Sequence, residues 1–463
     1  MRSILCLLFL MSTTLVAQLP KLKVSENKRF LQTEDGKPFL WTGDTAWELF
    51  HKLTKEEAYS YLEKRASQGF NVVQAVVLAE LDGLQTPNRN GDLPFQSLET
   101  LKPNVPYFTH IEAIMAKADS LGIYIAFLPT WGDKLYKNSW GKGPEIFTPE
   151  TAFAYGKWLG LRFRAQNNII WVLGGDRNPR EKSMDVKVWR EMAKGVEDGL
   201  GIFGSGIFTF HPQPASLGGS SNWFHKDKWL DFNMHQTGHC PDGFTYKKIS
   251  HDYNLKPIKP TLDSEPLYED HPNCFNAKEL GYSVASDIRR IMFWNVFAGA
   301  LGQTYGCHDV WQMFNGDEGT GVNGPLRPWK AALDLPMANQ VKHLKNLMLS
   351  RPFFDRIPDQ SLIEGEQEDN AEYVMGTRDE SGTYAFIYFP TGKTANINTK
   401  SLTGQKLKAT WYDPRTGASF VLGQTQNFGS FSASPPSSGK GNDWVLVIDD
   451  AAKGYDKPGT VAY

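Results

Sequence analysis

From Phe39 to about Ser350 the chain alternates short apolar runs with amphipathic stretches, so that two spacings interleave along it. Apolar runs of roughly four to eight residues between turn residues suit strands buried on both faces, and the stretches between them repeat at helical spacing. The runs predict strands at Phe39–Gly43, Asn71–Leu78, Tyr124–Pro129, Ile169–Leu173, Ile207–His211, Phe232–Gln236, Pro260–Ser264 and Gly302–Gly306. Helices are predicted at Thr54–Gln68, His110–Leu121, Pro149–Ala165, Asp185–Gly199, Val284–Ala298 and Pro336–Leu349. Thr54 is placed to cap the first of these, with Glu57 closing a capping box. Eight strand-then-helix units with no Gly-rich phosphate fingerprint after the first strand favour a closed (β/α)8 TIM barrel, an α/β fold. An open doubly wound sheet is the alternative.

After Arg351-Pro352-Phe353-Phe354 the pattern changes to short alternating segments: Glu372–Thr377, Thr383–Phe389, Lys406–Tyr412, Phe420–Leu422 and Asp443–Ile448. Asp413-Pro414-Arg415-Thr416-Gly417 reads as a turn, because proline presets φ and glycine accepts the left-handed position. This region is expected to form a small all-β sandwich over residues 353–463, behind a barrel over 18–352. Residues 1–17 carry a basic start, the apolar run Ile4–Leu10 and the small-residue end Leu15-Val16-Ala17, the pattern of a cleaved secretory signal. The expected location is therefore the periplasm or the medium. No later stretch approaches the ~20 apolar residues that a membrane span needs.

Chemistry is expected at the C-terminal ends of the strands, where barrels build their reactive face. Two apolar strands end there in acids. Trp171-Val172-Leu173-Gly174-Gly175-Asp176 follows the fourth strand, and Pro260-Thr261-Leu262-Asp263-Ser264-Glu265 the seventh. Fourth and seventh strands lie across an eight-stranded barrel from each other, so Asp176 and Glu265 could face one another over a substrate, as glycoside hydrolysis requires. Asp176 could instead cap a loop, and Glu265 could be an ion-pair partner; Asp263 is the first substitute for Glu265. Other strand-end residues read as binding groups or as structural ones: Asp44 and Trp47, Trp131, the cluster His211, His235, Gln236 and His239, and then Tyr305, His308 and Trp311. Aromatic faces stack on sugar C–H surfaces, while histidines and amides bond hydroxyls.

With 49 Lys+Arg against 51 Asp+Glu there is no basic surplus to neutralise a phosphate backbone, which argues against a nucleic-acid partner. Histidines at strand ends raise the rival of a metal hydrolase, but no His-x-His follows the first strand and no His-Glu-x-x-His occurs. No metal and no cofactor is expected. A Gly-x-Ser-x-Gly elbow, the mark of serine hydrolysis, is also missing from the strand ends. Of the 4 cysteines, Cys6 lies in the signal. Cys240 and Cys274 could bridge in an oxidising compartment, although a buried free thiol is the commoner state.

The segments Trp41-Thr42-Gly43-Asp44-Thr45-Ala46-Trp47, Val172-Leu173-Gly174-Gly175-Asp176 and Asp263-Ser264-Glu265-Pro266 together resemble the apiosidase-like glycoside hydrolases, family 140 and its relatives. The resemblance covers nearly the whole mature chain, because those proteins also carry a C-terminal collagen-binding-type β-sandwich. It implies removal of apiose-linked sugars from the pectic polysaccharide rhamnogalacturonan II, with Asp176 and Glu265 at the positions of the catalytic pair. By analogy with barrels that place their pair after strands four and seven, Asp176 would be the acid/base and Glu265 the nucleophile of a retaining mechanism. Such barrels usually carry Glu at the fourth strand, where this chain has Gly-Asp. The expected partner is an oligosaccharide or polysaccharide, and the expected state a monomer. The alternatives are a glycosidase for another plant or host glycan, or a non-catalytic glycan-binding protein.

Overall fold

The computed structural model describes residues 18–201, 206–316 and 321–461. The signal-peptide reading falls outside them. Three short antiparallel strands, Leu22–Val24, Leu31–Thr33 and Pro38–Phe39, lead into eight parallel strands. These are β1 (Trp41–Thr45), β2 (Val72–Leu78), β3 (Tyr124–Thr130), β4 (Ile169–Gly174), β5 (Ile207–His211), β6 (Asn233–Gln236), β7 (Thr261–Glu265) and β8 (Gly302–Tyr305). Each is followed by a helix: α1 (Lys55–Gln68), α2 (Val105–Ser120), α3 (Pro149–Phe163), α4 (Asp185–Leu200), α5 (Ser221–Phe224), α6 (Tyr246–Tyr253), α7 (Ala285–Phe297) and α8 (Pro336–Met348). The capping box of α1 forms as expected: Thr54 accepts from the Glu57 amide, and Glu57 reaches back to that of Thr54.

Strands β8-β1-β2-β3-β4-β5 make one continuous parallel sheet, and β6 and β7 pair with each other. The two seams are stitched by backbone bonds, with side-chain bonds from Thr209 and Asp231 added at the seam between β5 and β6. Asp231 N–H donates to Phe208 O at 2.9 Å on one side, and Leu301 N–H to Thr261 O at 2.9 Å on the other. The ring of eight is thereby closed into a barrel. Every residue of β1 through β8 is buried; β2, β3 and β4 accordingly read as nearly continuous apolar runs, whereas β1, β6, β7 and β8 bury polar side chains as well.

The C-terminal region forms the antiparallel sheet β9 (Arg356–Pro358), β10 (Met375–Asp379), β11 (Tyr384–Phe389), β13 (Lys406–Tyr412), β14 (Ser419–Gln426) and β16 (Trp444–Asp450), ordered 9-10-11-16-13-14. A second small sheet pairs β12 (Ala395–Asn398) with β15 (Ser430–Ala433). Two central strands are apolar on both faces. Ala385, Ile387 and Phe389 of β11, with Leu446 and Ile448 of β16, fill the sandwich interior. The alternate residues Tyr384, Phe386, Tyr388, Val445 and Val447 belong instead to the core of the barrel. Phe293 of α7 stacks on Tyr388 at 4.7 Å. Two buried ion pairs cross the same boundary: Arg289 of α7 with Asp443, and Arg351 with Asp449 at 2.8 Å through both nitrogens.

Candidate active site

At the end of β4 the chain turns through three consecutive left-handed residues, Gly174 (φ 90°), Gly175 (φ 112°) and Asp176 (φ 52°). A Cβ on Gly174 would lie 2.3 Å from the His211 carbonyl, and one on Gly175 2.9 Å from Trp131 Cα, so only glycine fits at either. Aspartate tolerates the third position, and the turn lifts its carboxyl over the barrel mouth. Glu265 ends β7 on the opposite side of the ring.

His211, at the end of β5, connects the two acids. Its Nδ1 accepts the Asp176 N–H at 3.3 Å, which leaves the proton on Nε2, 3.0 Å from Oε2 of Glu265. That contact has ion-pair distance but lies off hydrogen-bond alignment. His239 Nε2 lies 3.4 Å from the other oxygen of Glu265. Burial pushes the Glu265 carboxyl up, but His211 and His239 outweigh it and hold the group well below the ordinary carboxylate range. The opposite happens to Asp176, which is pushed up to about 7, first by burial and then by the charge of Glu265. The two carboxyls are thus biased in opposite directions, Glu265 toward the ionised form and Asp176 toward the protonated one.

The residues predicted from sequence separate into two groups. Trp47 and Trp131 lie 5.4 Å and 5.7 Å from the His211 ring and 5.0 Å from each other. Both are buried, so they wall His211 rather than offering an open platform. Gln236 pairs in register with Glu265, and its side-chain oxygen is buried without a hydrogen-bond partner among the described residues. His308 and Trp311 stand farther back: His308 packs on His271 at 4.5 Å, and His271 stacks on His239 at 4.2 Å. Burial and neighbouring histidines push His271 down to about 2, and burial pushes His308 down to about 4, so both are neutral.

Three others are committed elsewhere. Asp44 is fully buried and bonds Arg65 Nε at 2.5 Å and the Tyr61 hydroxyl at 2.5 Å, facing α1 rather than the mouth. Tyr305 donates to Glu269 at 2.8 Å in the same layer. His235 lies 3.0 Å from the buried Asp252. Asp263, the substitute for Glu265, accepts from Thr237 at 2.7 Å and Asn295 at 2.9 Å. The cysteine expectation needs correcting: Cys240 and Cys274 form a disulfide and Cys307 is a buried free thiol. Cys240 directly follows His239, so the bridge ties the loop carrying that histidine to the loop after β7.

Two site residues escaped the sequence reading. Glu80 lies two residues beyond β2, partly buried, with no side-chain partner among the described residues. Burial and the surrounding carboxylates Asp176, Glu48, Asp133 and Glu265 raise it far above its ordinary value. An acid just past a strand end is the signal that found Asp176, and it was available here too. Trp140 carried no such signal, because it lies ten residues past β3 in a loop; its indole N–H donates to Asp176 Oδ2 at 2.9 Å.

Residues 25–355, which include the whole barrel, match the family described as "Apiosidase-like, catalytic domain". The chain is a glycoside hydrolase of the apiosidase-like family. Residues 357–449 match a second family, described as "Putative collagen-binding domain of a collagenase". Among solved structures, a glycoside hydrolase is 31% identical with a TM-score of 0.84, covering 94% of this chain and 97% of its own. A glycoside hydrolase family 5 protein from Bacteroides vulgatus ATCC 8482 is 32% identical with a TM-score of 0.84, covering 96% of each chain. Another Bacteroides vulgatus protein, 15% identical with a TM-score of 0.67 over 93% of this chain and 82% of its own, is alike in fold. No curated protein matches. The apiosidase-like enzyme thus acts on a carbohydrate, and no helix among its described residues is long and apolar enough to cross a membrane.

Proposed function

We propose that this enzyme cleaves apiose linkages in the side chains of rhamnogalacturonan II, with Asp176 as acid/base and Glu265 as nucleophile of a retaining mechanism. The observation that carries the assignment of roles is the opposed protonation of the two carboxyls across the barrel mouth. In the first step Glu265 attacks the anomeric carbon while Asp176 gives its proton to the departing oxygen, forming a glycosyl–enzyme ester and a free alcohol. Esterification neutralises Glu265, which removes the charge that kept Asp176 protonated. Asp176 then takes a proton from water, the water oxygen attacks the anomeric carbon, and Glu265 leaves as carboxylate. Family membership supports the apiose assignment. The leader at residues 1–17 supports a periplasmic or secreted enzyme, and we take it to work as a monomer.

The test is sugar release from purified rhamnogalacturonan II and its side-chain oligosaccharides by wild type, Asp176→Asn and Glu265→Gln. Apiose-linked product from the wild type, lost in both variants, is the expected result. Release of a different sugar would move the substrate to another plant or host glycan. The anomer first released, followed by NMR, separates retention from inversion.

A further inference from the structure

Trp140 is 45% exposed, which is costly for an indole unless something covers it. One face is already taken: the guanidinium of Arg177 lies 4.8 Å from the ring centroid. Arg177 is fully buried and fixes the loop by donating to the carbonyls of Tyr136 at 3.1 Å, Lys137 at 2.7 Å and Trp140 at 2.6 Å. It also donates to the Asp176 carbonyl at 2.6 Å. The indole is thus held in place while much of it stays exposed, and its N–H bonds Oδ2 of Asp176.

We propose that the exposed surface of the Trp140 indole is the platform for the leaving-group sugar, and that its N–H positions the acid. The inference rests on the assignment of Asp176 as the acid. An acid that protonates the departing oxygen must lie beside the sugar that carries this oxygen away, and the ring touching that acid lies within one sugar width of it. Sugar C–H faces stack on such a ring by dispersion and apolar burial. The two roles are coupled: a sugar seated on the indole is seated against the proton it needs. The substrate class implied has a sugar residue on the leaving side of the scissile bond, not a small or non-carbohydrate group.

Rates for wild type, Trp140→Ala and Trp140→Phe are to be compared on a rhamnogalacturonan II side-chain oligosaccharide and on the glycosyl fluoride of the same terminal sugar. Fluoride leaves without a ring to stack and with little need of a proton. Trp140→Ala should lose about 10- to 100-fold in kcat/KM on the oligosaccharide, at least ten times more than on the fluoride. Trp140→Phe keeps the stacking face and loses the N–H donor, which favours the charged form of Asp176. Its KM on the oligosaccharide should stay near wild type, and the alkaline limb of its pH profile should move up. Equal losses on both substrates, or no loss on the oligosaccharide, would overturn the proposal. No turnover of either substrate by the wild type would overturn the substrate assignment on which it rests, a result distinct from the first.

Discussion

Replacing Glu265 with Gln should lower the pKa of Asp176, because the charge of Glu265 is the second largest reason, after burial, that this carboxyl is held up. The rise from 3.8 to about 7 corresponds to roughly 4 kcal/mol. A carboxylate at the retaining separation of about 5.5 Å contributes about 3 kcal/mol of this at an effective dielectric near 20, or about two pKa units. At an inverting separation of about 9 Å the same charge contributes only about 1.3 units. The titration of Asp176 can be followed by NMR of protein labelled at aspartate carboxyl carbons, with Asp176→Asn identifying the resonance. The midpoint should fall from about 7 toward about 5 in Glu265→Gln. A midpoint within about half a unit of wild type would refute the coupling, and with it the proposed switch of Asp176 from acid to base when Glu265 becomes esterified.

Activity on natural substrate should fall as pH rises through about 7, where Asp176 loses its proton, while Glu265 stays ionised far into the acid range; a pH–rate profile with an acid limb but no alkaline limb below pH 9 would contradict the roles. Asp44→Ala should destabilise the fold by about 3–5 kcal/mol in denaturant titration, because it strands the buried Arg65, and should leave KM unaltered. A raised KM with unaltered stability would return Asp44 to the substrate. Asp449→Ala, which strands Arg351 at the boundary between barrel and sandwich, should cost a similar ~3–5 kcal/mol. It should lower the unfolding temperature of the whole chain in one transition; a separate early transition for the sandwich would count against the shared core.

The barrel was legible because burial on both faces writes β2, β3 and β4 as nearly apolar runs, the polar-rich β1, β6, β7 and β8 fall in step with the helices between them, and the strand ends point at the chemistry. Asp176 and Glu265 were found that way. What failed was direction. Asp44, Tyr305 and His235 also sit on or beside strand ends, but successive side chains in a strand alternate between the inside of the barrel and the helix layer. Register decides which side each one takes, and the sequence around a five-residue strand constrains register by no more than a residue or two. The partners that capture Asp44 lie on α1, where Arg65 has no mark distinguishing it from a surface arginine. Trp140 was invisible for the converse reason. Its role depends on a loop conformation fixed by Arg177, a residue 37 positions later in the chain.

The sheet that carries β11 and β16 belongs to two hydrophobic cores at once. A module of this kind cannot be exchanged among proteins as a bead on a string, because cutting it away uncovers Phe293 and Phe297 on α7 and leaves Arg289 without its carboxylate. Whatever ligand its outer surface meets, the inner surface is already spoken for by the catalytic unit. Inheritance should then act on the pair as one piece, with substitutions on α7 matched by changes on the two strands it touches. Expression of the barrel alone, a common economy in enzyme production, would remove a wall of the enzyme rather than an accessory.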